Sequence, residues 1–246
     1  LKKSILQEAV MGKLVPQDET DEPASVLLKR IREEKQRLIT EGKLKKNKHE
    51  SIIYRRDNSH YEKLDGVERC IDDEIPFDIP DSWAWTRLGN VSTYAATKKK
   101  INAKEAFEKV WGLDLEDIEK GGRLLERHTI GERKAIGDKT CFYSGDILYS
   151  KLRPYLQKIL IAPEDGICTP EIVPFRMFGN INHKYIVNYL KSPYVDSYVN
   201  AASYGVKMPR AGTETMTSLL VPIPPILEQV RIVDKVDFLS KPMKKL

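Results

Sequence analysis

The sequence predicts an α+β protein in which a mixed-sheet domain lies between two amphipathic helical ends. Apolar residues recur at helical spacing near both ends of the 246-residue chain. Between these ends, short apolar runs alternate with turns that contain glycine or proline, a pattern typical of strands. The stretch EIPFDIPDSWAWTRLG, with its prolines and bulky aromatics, marks the entrance to the central domain.

The first fifteen residues predict a helix with one wide apolar stripe. Leu1, Ile5 and Ala9 are spaced four apart and therefore lie on one face of a helix. Gly12 and Pro16 predict its end, because glycine favours helix termini and proline cannot continue a helix.

A second helix is predicted from about residue 21. Asp21 is a plausible N-cap and Pro23 suits the first turn. Residues 24–39 keep one apolar face, whereas Lys35 and other charged residues are expected on the opposite, solvated face. Gly42 predicts the end of this helix.

The chain divides by pattern into four parts: a helical region (1–46), a basic connector without a clear strand or helix pattern (47–74), the central domain (75–225) and the start of a further helix (226–246). In the central domain, GDILYSKLRPYLQK predicts a strand followed by a loop. Two short helices are predicted further along, with a break between them before Pro193, and SLLVPIP predicts a closing strand. The last helix is expected to bury one apolar face: Ile226, Val230, Val233, Val236 and Leu239.

Composition excludes several protein classes. The chain is 41% hydrophobic and 31% charged, with a net charge of +5, which mildly favours an anionic partner such as nucleic acid. No apolar run approaches the roughly 18 residues of a membrane span. The 3 cysteines form no CxxC pair, so we expect a reducing compartment, the cytoplasm, and neither a metal site nor a cofactor.

Catalytic motifs are missing, since the chain has no Walker-type phosphate loop, dinucleotide fingerprint, GxSxG or HExxH. One alternative is a small Mg²⁺-dependent nuclease that uses Asp81, Glu132 and Lys134, because such enzymes need carboxylates around the metal and a lysine near the attacking water. Triplets of this kind are frequent in charged segments, so chance explains the match better. The chain is therefore predicted not to be an enzyme.

A nucleic-acid-binding surface has more support. Cations contact phosphates, and side chains such as arginine, threonine and tyrosine contact bases and the backbone. The candidate contact residues share flexible, cation-bearing segments: Lys98, Lys99, Lys100, Lys151, Arg153, Tyr155, Lys207, Arg210 and Thr213.

Each of these segments also has an ordinary structural interpretation. The lysine triplet is more often a solvated turn than a contact. Leu152 and Leu156 can form the buried side of their segment while Lys151 and Arg153 merely face water. A helical protein–protein adaptor with incidental basic loops is a further alternative, and composition does not decide among these.

Four segments resemble, in the same order, the specificity (S) subunits of type I restriction-modification systems. Residues 1–46 resemble the end of the family's conserved helical region, and IPDSWAWTRLGNV resembles the entry to a target recognition domain. GDILYSKLRPYLQK is similar to a strand and loop inside one class of such domains, and VPIPPILEQVRIVDKVDFL resembles the exit into the next conserved helix. Residues 95–139 match nothing recognisable.

The resemblance implies sequence-specific recognition of double-stranded DNA without catalysis by this chain. Full S subunits carry two target recognition domains, separated by two helices that pair as an antiparallel coiled-coil spacer. Methyltransferase (M) subunits bind this frame and catalyse with S-adenosylmethionine, and a restriction (R) subunit can join. This chain has a single recognition domain and resembles half of an S subunit or a fragment, so a homodimer through the terminal helices is a hypothesis.

Overall fold

The computed structural model describes residues 1–44, 50–205 and 207–241. The predicted boundary between the helical region and the connector at residues 46 and 47 lies outside the described residues, as do residues 242–246 of the predicted last helix. The described helices and strands confirm the predicted α+β class. None of these helices is long and apolar enough to cross a membrane.

Helices of four or more residues occur in several parts of the described chain: α1 (Lys2–Val10), α2 (Ala24–Thr40), α3 (Leu88–Val91), α4 (Ile130–Arg133), α5 (His183–Leu190), α6 (Pro193–Ala201), α7 (Thr213–Thr217) and α8 (Ile226–Ser240). The strands are β1 (Ser51–Arg56), β2 (Ser59–Leu64), β3 (Val67–Cys70), β4 (Ala84–Arg87), β5 (Lys100–Asn102), β6 (Gly112–Leu113), β7 (Asp138–Phe142), β8 (Ile147–Ser150), β9 (Ile159–Ile161), β10 (Gly166–Cys168), β11 (Ile172–Phe175) and β12 (Leu220–Ile223).

The chain forms two compact units. Unit 1 consists of Leu1–Ser92, Met177–Tyr194 and Thr217–Leu246, and unit 2 of Thr93–Arg176 and Val195–Met216. Both units are therefore built from segments that are distant in the chain, whereas the predicted division into 1–46, 47–74, 75–225 and 226–246 follows chain order. Those predicted boundaries remain a prediction about domain organisation.

In unit 1 the helices from the two ends of the chain contact each other. Helix α1 packs against α8, and α5 contacts both of them. Helix α1 buries Ile5, Leu6, Ala9 and Val10, which confirms the predicted apolar stripe, although Leu1 is exposed.

The buried face of α8 differs from the predicted one. Val233 and Val236 are buried as expected, but Val230 and Leu239 are exposed. Relative to the prediction, the buried face is shifted around the helix, and two polar residues of the first turn are buried instead. Glu228 accepts a hydrogen bond from Trp83 Nε1 at 2.9 Å, and Gln229 Nε2 donates to the Pro224 carbonyl at 2.9 Å.

Helix α2 begins and ends close to the predicted positions, but two of its predicted side-chain roles are wrong. Asp21 does not cap the helix; it is buried and accepts hydrogen bonds from Arg231. Lys35 is 3% exposed rather than solvated. Its Nζ donates to Glu50 Oε1 at 2.7 Å and to the Asn90 carbonyl at 2.9 Å. The carboxylate and the carbonyl offset the cost of burying this cation.

Much of the predicted connector is a three-stranded antiparallel sheet in the order β1-β2-β3. Asp57 and Asn58 link β1 to β2, and Asp65 and Gly66 link β2 to β3, all with positive φ angles. Two-residue turns of this kind favour Asn, Asp and Gly. The Asp-Gly dipeptide is therefore a hairpin signal in the sequence, hidden by the many charges around it. Strand β4 pairs separately with β12, the predicted closing strand.

Unit 2 contains a four-stranded sheet in the order β5-β7-β10-β6 and a three-stranded sheet in the order β11-β8-β9. Strands β6 and β10 are parallel, and the other pairs are antiparallel, so the sheet is mixed as predicted. Apolar side chains from both sheets and their connections form one core: Trp111, Leu113, Ile118, Phe142, Leu148, Leu160, Ala162, Cys168 and Ile172.

Candidate nucleic-acid interface

After the fully buried strand β8, the chain continues into an exposed loop that carries basic residues. All four residues of β8 are buried. Arg153 and Gln157 then adopt left-handed conformations, with φ of 50° and 49°, on either side of the short 3-10 helix Pro154–Leu156. The strand supplies a rigid base, and the change of direction carries Arg153 and Tyr155 to the surface.

Residues 151–157 form the first loop of the candidate interface, and residues 203–213, in which Val206 is not described, form the second loop. Backbone hydrogen bonds join the two loops. The Arg153 N–H donates to the Pro209 carbonyl at 2.7 Å, and the Ala211 N–H donates to the Lys151 carbonyl at 2.9 Å. The structure thus brings together two segments that lie about fifty residues apart in the chain.

Arg210 occupies the junction between the two loops. Its backbone exchanges hydrogen bonds with Tyr204, at 2.9 and 3.2 Å. Its guanidinium donates to Glu171, with Nε 3.2 Å from Oε2 and Nη2 3.1 Å from Oε1. Hydrogen bonding and charge from Glu171 raise the pKa of Arg210. A side chain neutralised in this way is better placed to fix the loops than to contact a ligand.

Several predicted contact residues lie on the exposed side of the paired loops. Arg153, Lys207 and Thr213 are exposed, Tyr155 is 45% exposed, and Lys151 is half-buried. In the described part of the chain the guanidinium of Arg153 has no ion pair. Cations without a protein partner remain available for an anionic ligand.

Two further residues of the second loop share this exposure and are not among those predicted from the sequence. Tyr204 is 61% exposed and Met208 is 46% exposed. For Tyr204 the sequence does contain a signal, namely an aromatic residue next to Gly205 in a loop that carries cations. Such rings can stack on bases or sugars.

Lys98 and Lys99 precede β5, and Lys100 is the first residue of that strand, which belongs to the other sheet of unit 2. Lys98 Nζ donates to the Thr93 carbonyl, and burial lowers the pKa of Lys98 to about 8. Lys99 and Lys100 are exposed. Lys100 opens β5, where it pairs with Thr140. The triplet is therefore partly a strand rather than a simple solvated turn, and Lys98 is the member least available for contact.

Two of the three residues of the nuclease alternative, Asp81 and Glu132, have other partners. Asp81 accepts a hydrogen bond from Arg55 at 2.9 Å. Glu132 accepts the Thr129 N–H at 2.7 Å and so caps α4. Within residues 1–44, 50–205 and 207–241, no group of three or more His, Cys, Asp or Glu is arranged to hold a metal ion.

Comparison with known proteins gives the same family that the sequence motifs resemble. The model of the type I restriction modification DNA specificity domain matches residues 80–245. This range contains β4, both sheets of unit 2, both loops and all of α8.

Curated relatives from Escherichia coli are specificity subunits of type I restriction enzymes. The EcoAI subunit is 32% identical over 268 residues, which cover 100% of this chain and 40% of that protein. The EcoEI subunit is 32% identical over 247 residues, covering 95% of this chain and 37% of that protein. The chain therefore spans about two fifths of the length of these relatives.

Solved structures share the fold at low sequence identity. The HsdS subunit from Thermoanaerobacter tengcongensis has a TM-score of 0.58 and 24% identity, over 68% of this chain and 44% of that chain. A second structure, described as showing complex assembly and conformational transition of the type I R-M system, has a TM-score of 0.59 over the same shares. With the family model covering most of its length, this chain belongs to the type I restriction modification DNA specificity domain family.

Proposed function

We propose that this chain recognises a specific double-stranded DNA sequence as part of a type I restriction-modification complex. The observation that carries the proposal is the pair of hydrogen-bonded loops in unit 2, which expose Arg153, Tyr155 and Lys207 within a chain of this family. Arginine can contact guanine through two hydrogen bonds, and lysine neutralises phosphates. The chain performs no catalysis and needs no cofactor in this role.

The same family membership supports partners for the chain. Methyltransferase subunits bind it and carry out the modification reaction, a restriction subunit joins the complex, and the complex acts in the cytoplasm. The names of the relatives, which are specificity subunits of restriction enzymes, support this part of the proposal.

The resemblance to full S subunits, which carry two recognition domains, supports a bipartite arrangement. The sequence described here contains one recognition domain and corresponds to about two fifths of its curated relatives. A second recognition domain comes from another polypeptide segment or from a second copy of this chain, through terminal helices that pair as an antiparallel coiled-coil spacer. Two identical domains related by a two-fold axis would recognise a palindromic site.

The contact residues divide into two groups. Lys99, Lys100, Lys151, Arg153, Tyr155, Lys207 and Thr213 contact DNA. Lys98 and Arg210 position the neighbouring backbone instead, because their side chains are engaged with the Thr93 carbonyl and with Glu171. Tyr204 joins the contact group because of its exposure in the second loop.

Substitution of Arg153 by alanine tests the proposal. The cognate sequence is first identified by mapping methylation directed by the chain with its methyltransferase subunit. Arg153→Ala should then weaken binding to that sequence by about tenfold or more and leave binding to unrelated DNA nearly unchanged, because a lost bidentate contact costs about 1–3 kcal/mol. Fluorescence anisotropy at several salt concentrations measures both affinities.

Arg30→Ala is the matched control, since Arg30 is an exposed arginine of unit 1 that pairs with Glu22. It should leave both affinities unchanged. Equal losses on cognate and unrelated DNA would make Arg153 a phosphate contact. No loss on either would remove Arg153 from the interface, and the absence of salt-sensitive DNA binding by the unmodified chain would contradict the proposed function.

A further inference from the structure

Charge is distributed unevenly along the chain. Residues 51–92 carry nine Asp or Glu and five Lys or Arg side chains, a net charge of −4, although the whole chain has a net charge of +5. This stretch contains β1 to β4 and α3 of unit 1. An acidic surface repels phosphates and attracts cationic groups. The stretch is therefore unsuited to DNA and suited to a basic partner.

The same stretch contains a cleft of about 760 Å³. Half-buried apolar side chains from β1 and from residues 75–79 line it, together with Trp85. The ring of Phe77 packs on that of Trp85, with centroids 5.3 Å apart. Clefts that combine apolar side chains with polar groups that can orient a ligand are typical of binding sites.

Three carboxylates line this cleft, and two of them are held in place. Asp72 accepts the His60 N–H at 2.6 Å, and Asp81 pairs with Arg55 at 2.9 Å. Asp78 is exposed and has no ion pair in the described part of the chain. The cleft therefore combines an apolar wall with a carboxylate that is free to bind a cation.

We propose that this cleft docks a segment of the methyltransferase subunit in which a Lys or Arg side chain stands beside apolar side chains. The cation would pair with Asp78, and the apolar side chains would cover the wall formed by Phe77 and its neighbours. The inference rests on the proposed function, because it assigns a contact surface to a partner that the function requires. It assigns separate surfaces to the two partners, unit 2 loops for DNA and this cleft of unit 1 for protein.

The test reverses one charge in the cleft and one outside it. Asp78→Lys is compared with Asp73→Lys, which makes the same change at an exposed carboxylate that does not line the cleft. Binding of each full-length variant to the purified methyltransferase subunit is measured by calorimetry, and binding to DNA by anisotropy. Circular dichroism verifies that both variants fold.

Asp78→Lys should weaken binding to the methyltransferase subunit by about tenfold or more, because like charges at an interface are strongly unfavourable. Asp73→Lys should change it by less than about threefold, as expected for a charge outside the contact. Asp78→Asn, which removes the charge without reversing it, should give an intermediate loss. Neither lysine variant should lower the affinity for DNA.

Equal losses for Asp78→Lys and Asp73→Lys would overturn the docking site, because they would reflect the overall charge of the stretch. Normal binding by Asp78→Lys, with normal binding by the unmodified chain, would also overturn it and leave the proposed function intact. Failure of the unmodified chain to bind the methyltransferase subunit would instead contradict the proposed assembly, and the docking site with it.

Discussion

At the scale of single residues, Glu62 has the most partners among the charged side chains of the β1-β2-β3 sheet in unit 1. It is 4% exposed. Arg87 donates to it through Nε at 2.9 Å and through Nη2 at 2.7 Å, and Ser51 Oγ donates at 2.6 Å. Arg69 adds a further bond at 2.6 Å. These contacts attach the sheet to β4, so one carboxylate of β2 joins its own strand to three others, β1, β3 and β4.

The ionisation of Glu62 makes stability depend on pH. Burial raises the pKa of Glu62, but hydrogen bonds and charge from Arg87, with the bond from Ser51, lower it from the usual 4.5 to about 2. Because the pKa is lower in the folded state, the stabilisation is fully present above about pH 4.5. It is lost as the pH falls from there toward 2.

We therefore expect Glu62→Gln to lower the free energy of unfolding by about 3 kcal/mol near pH 7, because two arginines lose a buried charge partner. The difference from the unmodified chain should shrink at about pH 3, where protonation of Glu62 in the unfolded chain has already removed part of this stabilisation. Urea unfolding at both pH values measures this. Asp73→Asn, at an exposed carboxylate, should have little effect, and a loss for Glu62→Gln that is independent of pH would assign its contribution to packing.

Residues with similar chemistry have different roles because of their neighbours. Arg153 and Arg210 lie on adjacent loops, but only Arg210 has a carboxylate, Glu171, beside it. Within the described residues the guanidinium of Arg153 has no ion pair, whereas that of Arg210 is held by Glu171. This distinction depends on a residue almost forty positions away in the chain and is not visible in the local sequence.

At the scale of elements, the end of α1 depends on a glycine in close contact with another segment. Gly12 has a φ of 71°, and a Cβ at this position would lie 2.4 Å from Cγ of Pro80. The chain therefore leaves α1 through a left-handed residue that packs against the proline-rich entrance to β4. An L-residue with a side chain would be strained there by both its backbone conformation and the overlap.

Gly12→Ala and Gly42→Ala together separate these two effects. Gly42 has a φ of 70°, but a Cβ at this position would have nothing within 4 Å, so its alanine variant should lose about 1–2 kcal/mol from backbone strain alone. Gly12→Ala should lose about 1–3 kcal/mol more, from overpacking against Pro80. Chemical denaturation of the two variants measures the difference. Equal losses would show that Pro80 moves aside without cost.

At the scale of the whole molecule, α8 exposes apolar side chains while burying polar ones. Leu227, Val230 and Phe238 are 62%, 45% and 68% exposed. At about 100° per residue they fall on one face of the helix. In the described part of the chain this face is uncovered, which is the arrangement that the proposed pairing through terminal helices requires.

We expect the chain to form a dimer at micromolar concentration through this face of α8. Phe238→Ser should shift it to a monomer, because the largest exposed apolar side chain of the helix is removed. Size-exclusion chromatography with light scattering measures the mass. Lys235→Ser, at an exposed polar position of the same helix, should leave the dimer unchanged. A monomeric unmodified chain would contradict the homodimer and favour a second, different recognition domain as the partner.

Local patterns determined much of this architecture. The α+β class, the end of α1 shortly before Gly12, the break between α5 and α6 before Pro193 and the closing strand β12 all follow from periodicity and from glycine or proline positions. Family membership followed from four motifs in order and was confirmed by the family model over residues 80–245. The contact residues remain predictions, because exposure alone does not identify what binds.

Only the tertiary structure decided features that depend on residues far apart in the chain. The buried faces of α2 and α8 include Lys35 and Glu228, whose desolvation is offset by partners on other segments, Asn90 and Trp83. The pairing of the two loops and the neutralisation of Arg210 likewise join segments about forty to fifty residues apart. Hydrophobic periodicity is a property of neighbouring residues, whereas the partners of a buried charge are set by packing. The sequence alone therefore determined most of the helices, the closing strand and the family, whereas the fold determined which charged residues are paired and which remain exposed.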